Sequence, residues 1–376
     1  MALKDFAKTV SEKIKLKERA IAGRVGDKIP YTAINGVFDD WTDKNICWWT
    51  NGFFGGMMWQ LYGATREEIF KQRAEGIEKK LDRNFLDYYG MDHDSGFKWL
   101  TTAHANNLLT GNKESLNRFL LAAANLAGRY NPIGFIRAWN DDSGNNAGWS
   151  IIDCLMNLPL LYLASETSGD PRFKVIAMHQ ADTAIKHFIR EDGSARHIVI
   201  LDPNTGYFVD EPGGQGFGRG SVWTRGQSWA LYGFTTSYLH TKEARYLDTA
   251  ILCADYFVEH IPSNGRIPVD FKQPATPDYT DSCAAAIASS GFLLLARTLR
   301  ESGKKKTLAE KYEAAAEKML CYLVEMDSDW NPDTDNILKS CTAAYHDKDH
   351  EYPIIYGDYY LIEAIFRITG EETYLS

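Results

Sequence analysis

Two kinds of helical pattern alternate along this chain. Segments such as TREEIFKQRAEGIEKKLDRN (65–84) and KKTLAEKYEAAAEKMLCYLVEM (305–326) set a charged stripe against an apolar one, as a helix half-exposed to water requires. Between such segments lie others that are apolar or small around most of their circumference and almost free of charge: WTNGFFGGMMWQLY (49–62), GWSIIDCLMNLPLLYLA (148–164) and SWALYGFTTSYL (228–239). A helix apolar on every side is a buried one. Periodicity and punctuation together predict about twelve helices, at roughly 2–22, 49–62, 65–84, 97–110, 113–128, 147–166, 171–190, 225–241, 243–260, 280–302, 304–326 and 357–369. Strand signals are confined to short pieces, HIVIL after Arg196 and GRIPVDF from Gly265, which read as loop hairpins. Buried and half-buried helices joined as αα-hairpins, with 357–369 left to pair with the N-terminal helix, predict an all-α fold: a closed (α/α)6 barrel of six helical hairpins.

The 376 residues, 44% hydrophobic and 24% charged, are those of an ordinary globular protein, and no linker rich in Pro, Gly or Ser divides them. A single domain, 1–376, is expected. The net charge of -9 disfavours a nucleic-acid or anionic-membrane partner, and no run approaching 18 uncharged apolar residues predicts a membrane span. The six cysteines, at 47, 154, 253, 283, 321 and 341, form no C-x-x-C pair and read as reduced, mostly buried thiols. The N-terminal stretch MALKDFAKTVSEKIKLKERA is amphipathic and Lys-rich, without the apolar core of a secretory leader, so a cytoplasmic location is expected. No H-E-x-x-H, Walker loop or dinucleotide fingerprint occurs; no cofactor and no metal is expected. The run DSDWNPDTDN (327–336) lacks the Gly and terminal Glu of an EF-hand and reads as a solvated acidic loop.

Loops entering the inner helices are long and aromatic, whereas inner-to-outer turns such as GATRE (63–67) and SGDPR (168–172) are short, so the site belongs on the long-loop end. Several of these loops reuse a Gly followed by alternating residues, as in GFKW at 96, GFIRAW at 134, GSARH at 193 and GRIPV at 265. Asp153 is the sharpest candidate, because it sits in SIIDCLMNLPLL with no other charge nearby and would project from a buried helix into a cavity. Asp94, in MDHDSGFKW, stands where an inner helix opens towards the same cavity; Asp92 is its equal by composition, and Asp-Ser-Gly is also good capping material. WTRGQSWALYG (223–233) groups Trp223, Arg225 and Trp229, an anion-binding fork beside aromatic faces that could pack on a sugar. Trp49, Trp139, His197 and Gln215 are further candidates on neighbouring loops. Asp281-Ser282 most simply caps an Ala-rich helix.

Five motifs in order, WTNGF (49–53), HDSGF (93–97), IIDCLMNLPLL (151–161), WTRGQSWALYG (223–233) and GDYY (357–360), together resemble the unsaturated glucuronyl hydrolases, glycoside hydrolase family 88, over nearly the whole chain. That resemblance implies the same (α/α)6 barrel and an enzyme acting on oligosaccharides left by polysaccharide lyases, whose non-reducing end is a 4,5-unsaturated uronate. It implies Asp153 as general acid/base and chooses Asp94 over Asp92 as the second essential carboxylate. It also implies that Trp49, Trp139, His197, Gln215, Arg225 and Trp229 contact the unsaturated sugar, with Trp223 beside them. The substrate is an enol ether, so protonation at C4 and attack of water at C5 yield a hemiketal that opens and frees the remaining sugar; C1 is not attacked, and the carboxylate-separation rules of ordinary glycosidases do not carry over.

One stretch departs from the family members that act on sulfated fragments. Before GDYY this chain reads CTAAYHDKDHEYPIIY (341–356), where Lys348 is surrounded by Asp347, Asp349 and Glu351, a poor setting for sulfate. Three alternatives share the architecture: an unsaturated rhamnogalacturonyl hydrolase, a sugar epimerase that would use a histidine pair such as His104 and His197, and a sugar-binding barrel without catalysis.

Overall fold

The structure, a computed structural model, describes residues 3–140, 146–303 and 306–372. Six inner helical segments and six outer helices alternate along the chain. The outer helices are α1 (Leu3–Val25), α3 (Glu68–Leu81), α6 (Lys113–Gly128), α8 (Pro171–His187), α10 (Ala244–His260) and α12 (Lys306–Met326). The inner ones are α2 (Phe53–Thr65), α4 (Ser95–Trp99) running through a π-helical turn (Leu100–His104) into α5 (Ala105–Thr110), α7 (Leu158–Ser168), α9 (Thr224–Thr241), α11 (Ser282–Glu301) and α13 (Ile355–Thr369). Each inner helix packs on its inner neighbours, and α13 closes the ring against α2 while pairing outward with α1. This is the (α/α)6 barrel that the alternating pattern predicts. The starts of the expected helices 2–22 and 304–326 lie outside the described residues.

The buried face of each element follows its pattern. In α9 every residue from Thr224 to Ser237 is buried, whereas α3 buries only Phe70, Ala74, Ile77, Glu78 and Leu81, at helical spacing. Helix α11 is long and apolar enough to cross a membrane by length and composition, yet 89% of that window is buried inside the barrel. One apolar core runs through the whole ring, from Phe6 on α1 to Phe366 on α13. Short inner-to-outer turns close on left-handed residues, Arg66 after α2 and Gly169 after α7, and Gly169 takes that conformation without a Cβ penalty.

Three local expectations need correction. Residues 147–166 are not one helix: β5 (Trp149–Ile151) leads into a 3-10 turn (Ile152–Met156), and the α-helix begins only at Leu158. The β-branched Ile151 pairs with Ile198 on β6 (Ile198–Leu201), and Pro159 is suited to a helix's first turn, where its missing N–H has no partner to lose. HIVIL is more than a hairpin, since β6 is the middle strand of an antiparallel sheet with β5 and β7 (Phe208–Asp210). The 327–336 run is not simply solvated: Lys17 of α1 donates to the Asn331 carbonyl (2.7 Å) and Thr334 Oγ1 (2.8 Å), and Arg24 pairs with the buried Asp335 at 2.8 Å.

Candidate active site

The long loops gather at one mouth of the barrel around a cavity of about 500 Å³. Its wall carries Trp48, Trp49, Trp139, Asp92, His93, Asp94, Asp153, His197 and Gln215, and among the described residues no Lys or Arg. Aromatic faces interleaved with a few converging polar groups make a surface suited to a small polar ring.

Backbone pairing sets Asp153 beside His197. The Ile152 amide donates to the His197 carbonyl at 3.0 Å as β5 and β6 separate, so Asp153 leaves the sheet on a 3-10 turn directly opposite the imidazole. His197 Nε2 lies 3.9 Å from Asp153 Oδ1. The other ring nitrogen, Nδ1, accepts the Gln215 amide at 3.0 Å. The Gln215 amide at Nδ1 favours the neutral tautomer with its proton on Nε2, towards Asp153, while the Gly213 carbonyl also draws on an imidazole N–H. Burial, with Arg225 adding to it, pushes the imidazole pKa down to about 3, and the ring is neutral. Burial and then the negative charge of Asp94 push Asp153 up to about 8, against the pull of Arg225. Its Oδ1 is buried without a hydrogen-bond partner. At neutral pH Asp153 is a carboxylic acid.

Geometry also separates Asp92 from Asp94. Asp92 Oδ1 accepts the Asp94 amide (2.9 Å) and makes the local turn, whereas Asp94, the N-cap residue of α4, makes no capping bond with its own side chain. Its Oδ1 instead accepts Asn157 Nδ2 at 3.1 Å, and its Oδ2 lies 3.5 Å from His93 Nε2. Burial raises Asp94 to about 6; Lys98, the Asn157 bond and Arg129 oppose that rise. His93 is held near 4 by burial and is neutral as well.

Asn157 is a site residue that sequence reasoning passed over. Buried completely, it donates to Asp94 and to the Asp153 carbonyl (3.2 Å) and accepts the Phe97 amide (2.8 Å), joining the two acids through one amide. Its signal was the four-residue step from Asp153 within IIDCLMNLPLL. His93 and Trp48 were also missed, each adjacent to a residue that was named.

The candidates from 223–229 stand behind the wall. Trp223 is 3% exposed, with its ring 4.3 Å from that of His197 and the Arg225 guanidinium 4.4 Å from its centroid. Arg225 spends its fork on Asp281 (2.5 Å) and on the carbonyls of Thr342 (2.7 Å) and Ala343 (2.5 Å). Trp229 is sealed between Phe97 and Tyr360. Among the described residues none of the three lines the cavity, and each supports the residues in front. Trp49 packs at a tilt against Phe97 and Tyr356 and lines the cavity; Gln215, besides its bond to His197, donates to the Ala343 carbonyl at 2.8 Å. Trp139 lines the cavity beside Trp149.

His104 does not join His197: it lies in the π-helical turn against Phe119, where His240 and Glu166 act on its charge. Lys348 lines a separate hollow of about 960 Å³ with Tyr31 and Trp41. Among the described residues one set of metal-ligand atoms converges, on Asp281, Cys283 and Cys341, but Asp281 already faces the Arg225 cation and caps α11 through the Cys283 amide (3.1 Å). The six cysteines are free thiols.

A closed double ring of helices with an acid pair and a tryptophan-lined mouth defines a carbohydrate-active (α/α)6 barrel. Residues 22–369 match the model of Glycosyl Hydrolase Family 88. The chain is 32% identical over 360 residues to the unsaturated glucuronyl hydrolase of Bacillus sp. (strain GL1), covering 92% of each chain. It is 32% identical over 324 residues to the unsaturated chondroitin disaccharide hydrolase of Streptococcus pyogenes serotype M1, covering 85% of this chain and 80% of that one. The crystal structure of the Bacillus sp. GL1 enzyme, described as responsible for the degradation of glycosaminoglycan, superposes with a TM-score of 0.85 at 30% identity, over 97% of this chain and 96% of that one. The chain belongs to glycosyl hydrolase family 88 and is a glycoside hydrolase.

Proposed function

We propose that this enzyme releases the non-reducing-end 4,5-unsaturated uronate from lyase-generated oligosaccharides of glycosaminoglycan type, by hydrating its C4=C5 enol ether. The observation that carries this reading is Asp153: a buried acid whose Oδ1 has no hydrogen-bond partner among the described residues and faces the His197 imidazole at 3.9 Å, with burial and Asp94 pushing it up to about 8. Asp153 gives its proton to C4, positive charge develops at C5 and the ring oxygen, and Asp94, ionised above its pKa of about 6, stabilises that charge. Asp153, now a carboxylate, takes a proton from water as the water oxygen bonds to C5. The hemiketal at C5 opens, C1 becomes an aldehyde, and the remaining sugar leaves.

His197 offers its Nε2 proton to the sugar or to the Asp153 carboxylate that forms, and Trp49 and Trp139 supply packing faces. Arg225, one layer back, places a fixed positive charge that favours the uronate carboxylate in this corner. Turnover in D2O, read by NMR at early times, tests the chemistry: hydration places the first deuteron on one face of C4, whereas hydrolysis at C1 frees an enol that ketonises in solution and labels both faces alike.

A further inference from the structure

Among the described residues no Lys or Arg lines the cavity, so the fixed positive charges that act on Asp153 and Asp94, Arg225 and Lys98, stand behind the wall. Lys98 is fully buried on α4, four residues after Asp94, on the same side of that helix. Its Nζ donates to the Cys47 carbonyl (2.9 Å) and to Asn84 Oδ1 (3.3 Å), both neutral, and among the described residues no carboxylate lies within ion-pair distance of it. Asn84 is itself held by the carbonyls of Ile46 and Leu81, 3.0 Å each, so the ammonium is fixed in place. A buried ammonium held only by neutral acceptors is costly, and a Gln or Met would fill the space more cheaply. The nearby negative charges are Asp92 and Asp94, and on both carboxyls Lys98 is the strongest influence favouring ionisation.

We propose that Lys98 is a positioning residue whose buried charge keeps Asp94 ionised, so that of the pair Asp94 and Asp153 only Asp153 holds a proton. This rests on the division of labour proposed above for Asp94 and Asp153. The groups that face Asp94 are Asp92, His93 and Lys98 from its own segment, Arg129 from the loop after α6, and Asp153 and Cys154 from the turn before α7. His93 is neutral, and Arg129, likewise held by neutral carbonyls of Met91, Arg137 and Ala138, acts on Asp94 more weakly than Lys98 does.

The test is a carbon-13 titration of the Asp94 carboxyl in aspartate-labelled enzyme, assigned with Asp94→Asn, alongside the pH profile of kcat/KM. In Lys98→Met the Asp94 midpoint rises by about one pH unit or more, the size of effect that a neighbouring opposite charge has, and the acid limb of kcat/KM follows it. Lys98→Gln, which keeps a donor for the Cys47 carbonyl, moves both in the same direction, and Lys98→Arg restores them. An unmoved midpoint, with any loss of turnover uniform across pH, overturns the proposal and leaves Lys98 a tether. A midpoint that moves while the acid limb stays supports the hold of Lys98 on Asp94 and contradicts the role of Asp94 in turnover, so the two failures are distinguishable. Should neither uncharged variant fold, nitrogen-15 spectra of the wild-type Lys98 side chain decide: an ammonium at pH 7 agrees with the proposal and a neutral amine overturns it.

Discussion

Gly214 lies so close to His197 that a Cβ on it would come within 1.9 Å of the imidazole Nδ1. The same glycine has a left-handed φ of +60°, and the next residue, Gln215, donates its amide to that Nδ1. The bare backbone thus helps set which imidazole nitrogen carries the proton, and so what Asp153 faces. Gly214→Ala displaces the ring. The expected loss in kcat/KM is about tenfold to a hundredfold, since a misplacement near 1 Å costs that much at a reacting centre, with a stability loss of about 1–3 kcal/mol from the left-handed backbone. Steady-state kinetics beside thermal unfolding checks both; wild-type kinetics would remove His197 from the mechanism.

Activity follows a bell in pH. Asp94 must be ionised and Asp153 protonated, so kcat/KM falls as pH drops below about 6 and again as it climbs above about 8. The two limbs belong to a coupled pair, and the bell as a whole is the prediction. A rate that is flat from pH 5 to 9 contradicts it.

Asp153 also costs stability, in a definite pH window. Its folded pKa of about 8 lies above the unfolded value near 4. The native state therefore holds a proton that the unfolded chain gives up, and stability falls as pH rises from about 4 towards 8. Asp153→Asn removes that linkage. The variant is expected to unfold several degrees above the wild type at pH 8 and by much less near pH 4; equal differences at the two pH values would show that Asp153 is not held protonated.

Arg225 separates support from contact. Arg225→Met strands Asp281 as an unpaired buried carboxylate and frees the carbonyls of Thr342 and Ala343, at a cost of about 3–5 kcal/mol. With the cation gone the alkaline limb also moves up, because Arg225 is what lowers Asp153. A variant that raises KM while leaving unfolding and the alkaline limb untouched would restore Arg225 to direct contact with substrate.

The ring was legible because helix burial is written in composition: α9, charge-free from Gly226 to Leu239, and striped α3 differ turn by turn. Asp153 was legible for the same reason, a lone charge in an apolar run. Its 3-10 turn was not, because Ile151 and Ile152 fit a buried helix as well as a strand, and only pairing with distant Ile198 decides. What Arg225 engages was not legible for a related reason: its partners Asp281, Thr342 and Ala343 lie 56 to 118 residues away in sequence. The choice of Asp94 over Asp92 came from family resemblance, and the turn bond of Asp92 to the Asp94 amide supplies its physical reason.

The most direct test is the ultraviolet absorbance of the conjugated C=C–carboxylate in unsulfated unsaturated disaccharides from chondroitin, hyaluronan and heparan, followed after adding wild-type enzyme or Asp153→Asn. The account predicts that the band decays with the wild type and persists with a folded Asp153→Asn variant. A band that persists with the wild type while sugar is released, or one that decays equally with Asp153→Asn, would contradict it.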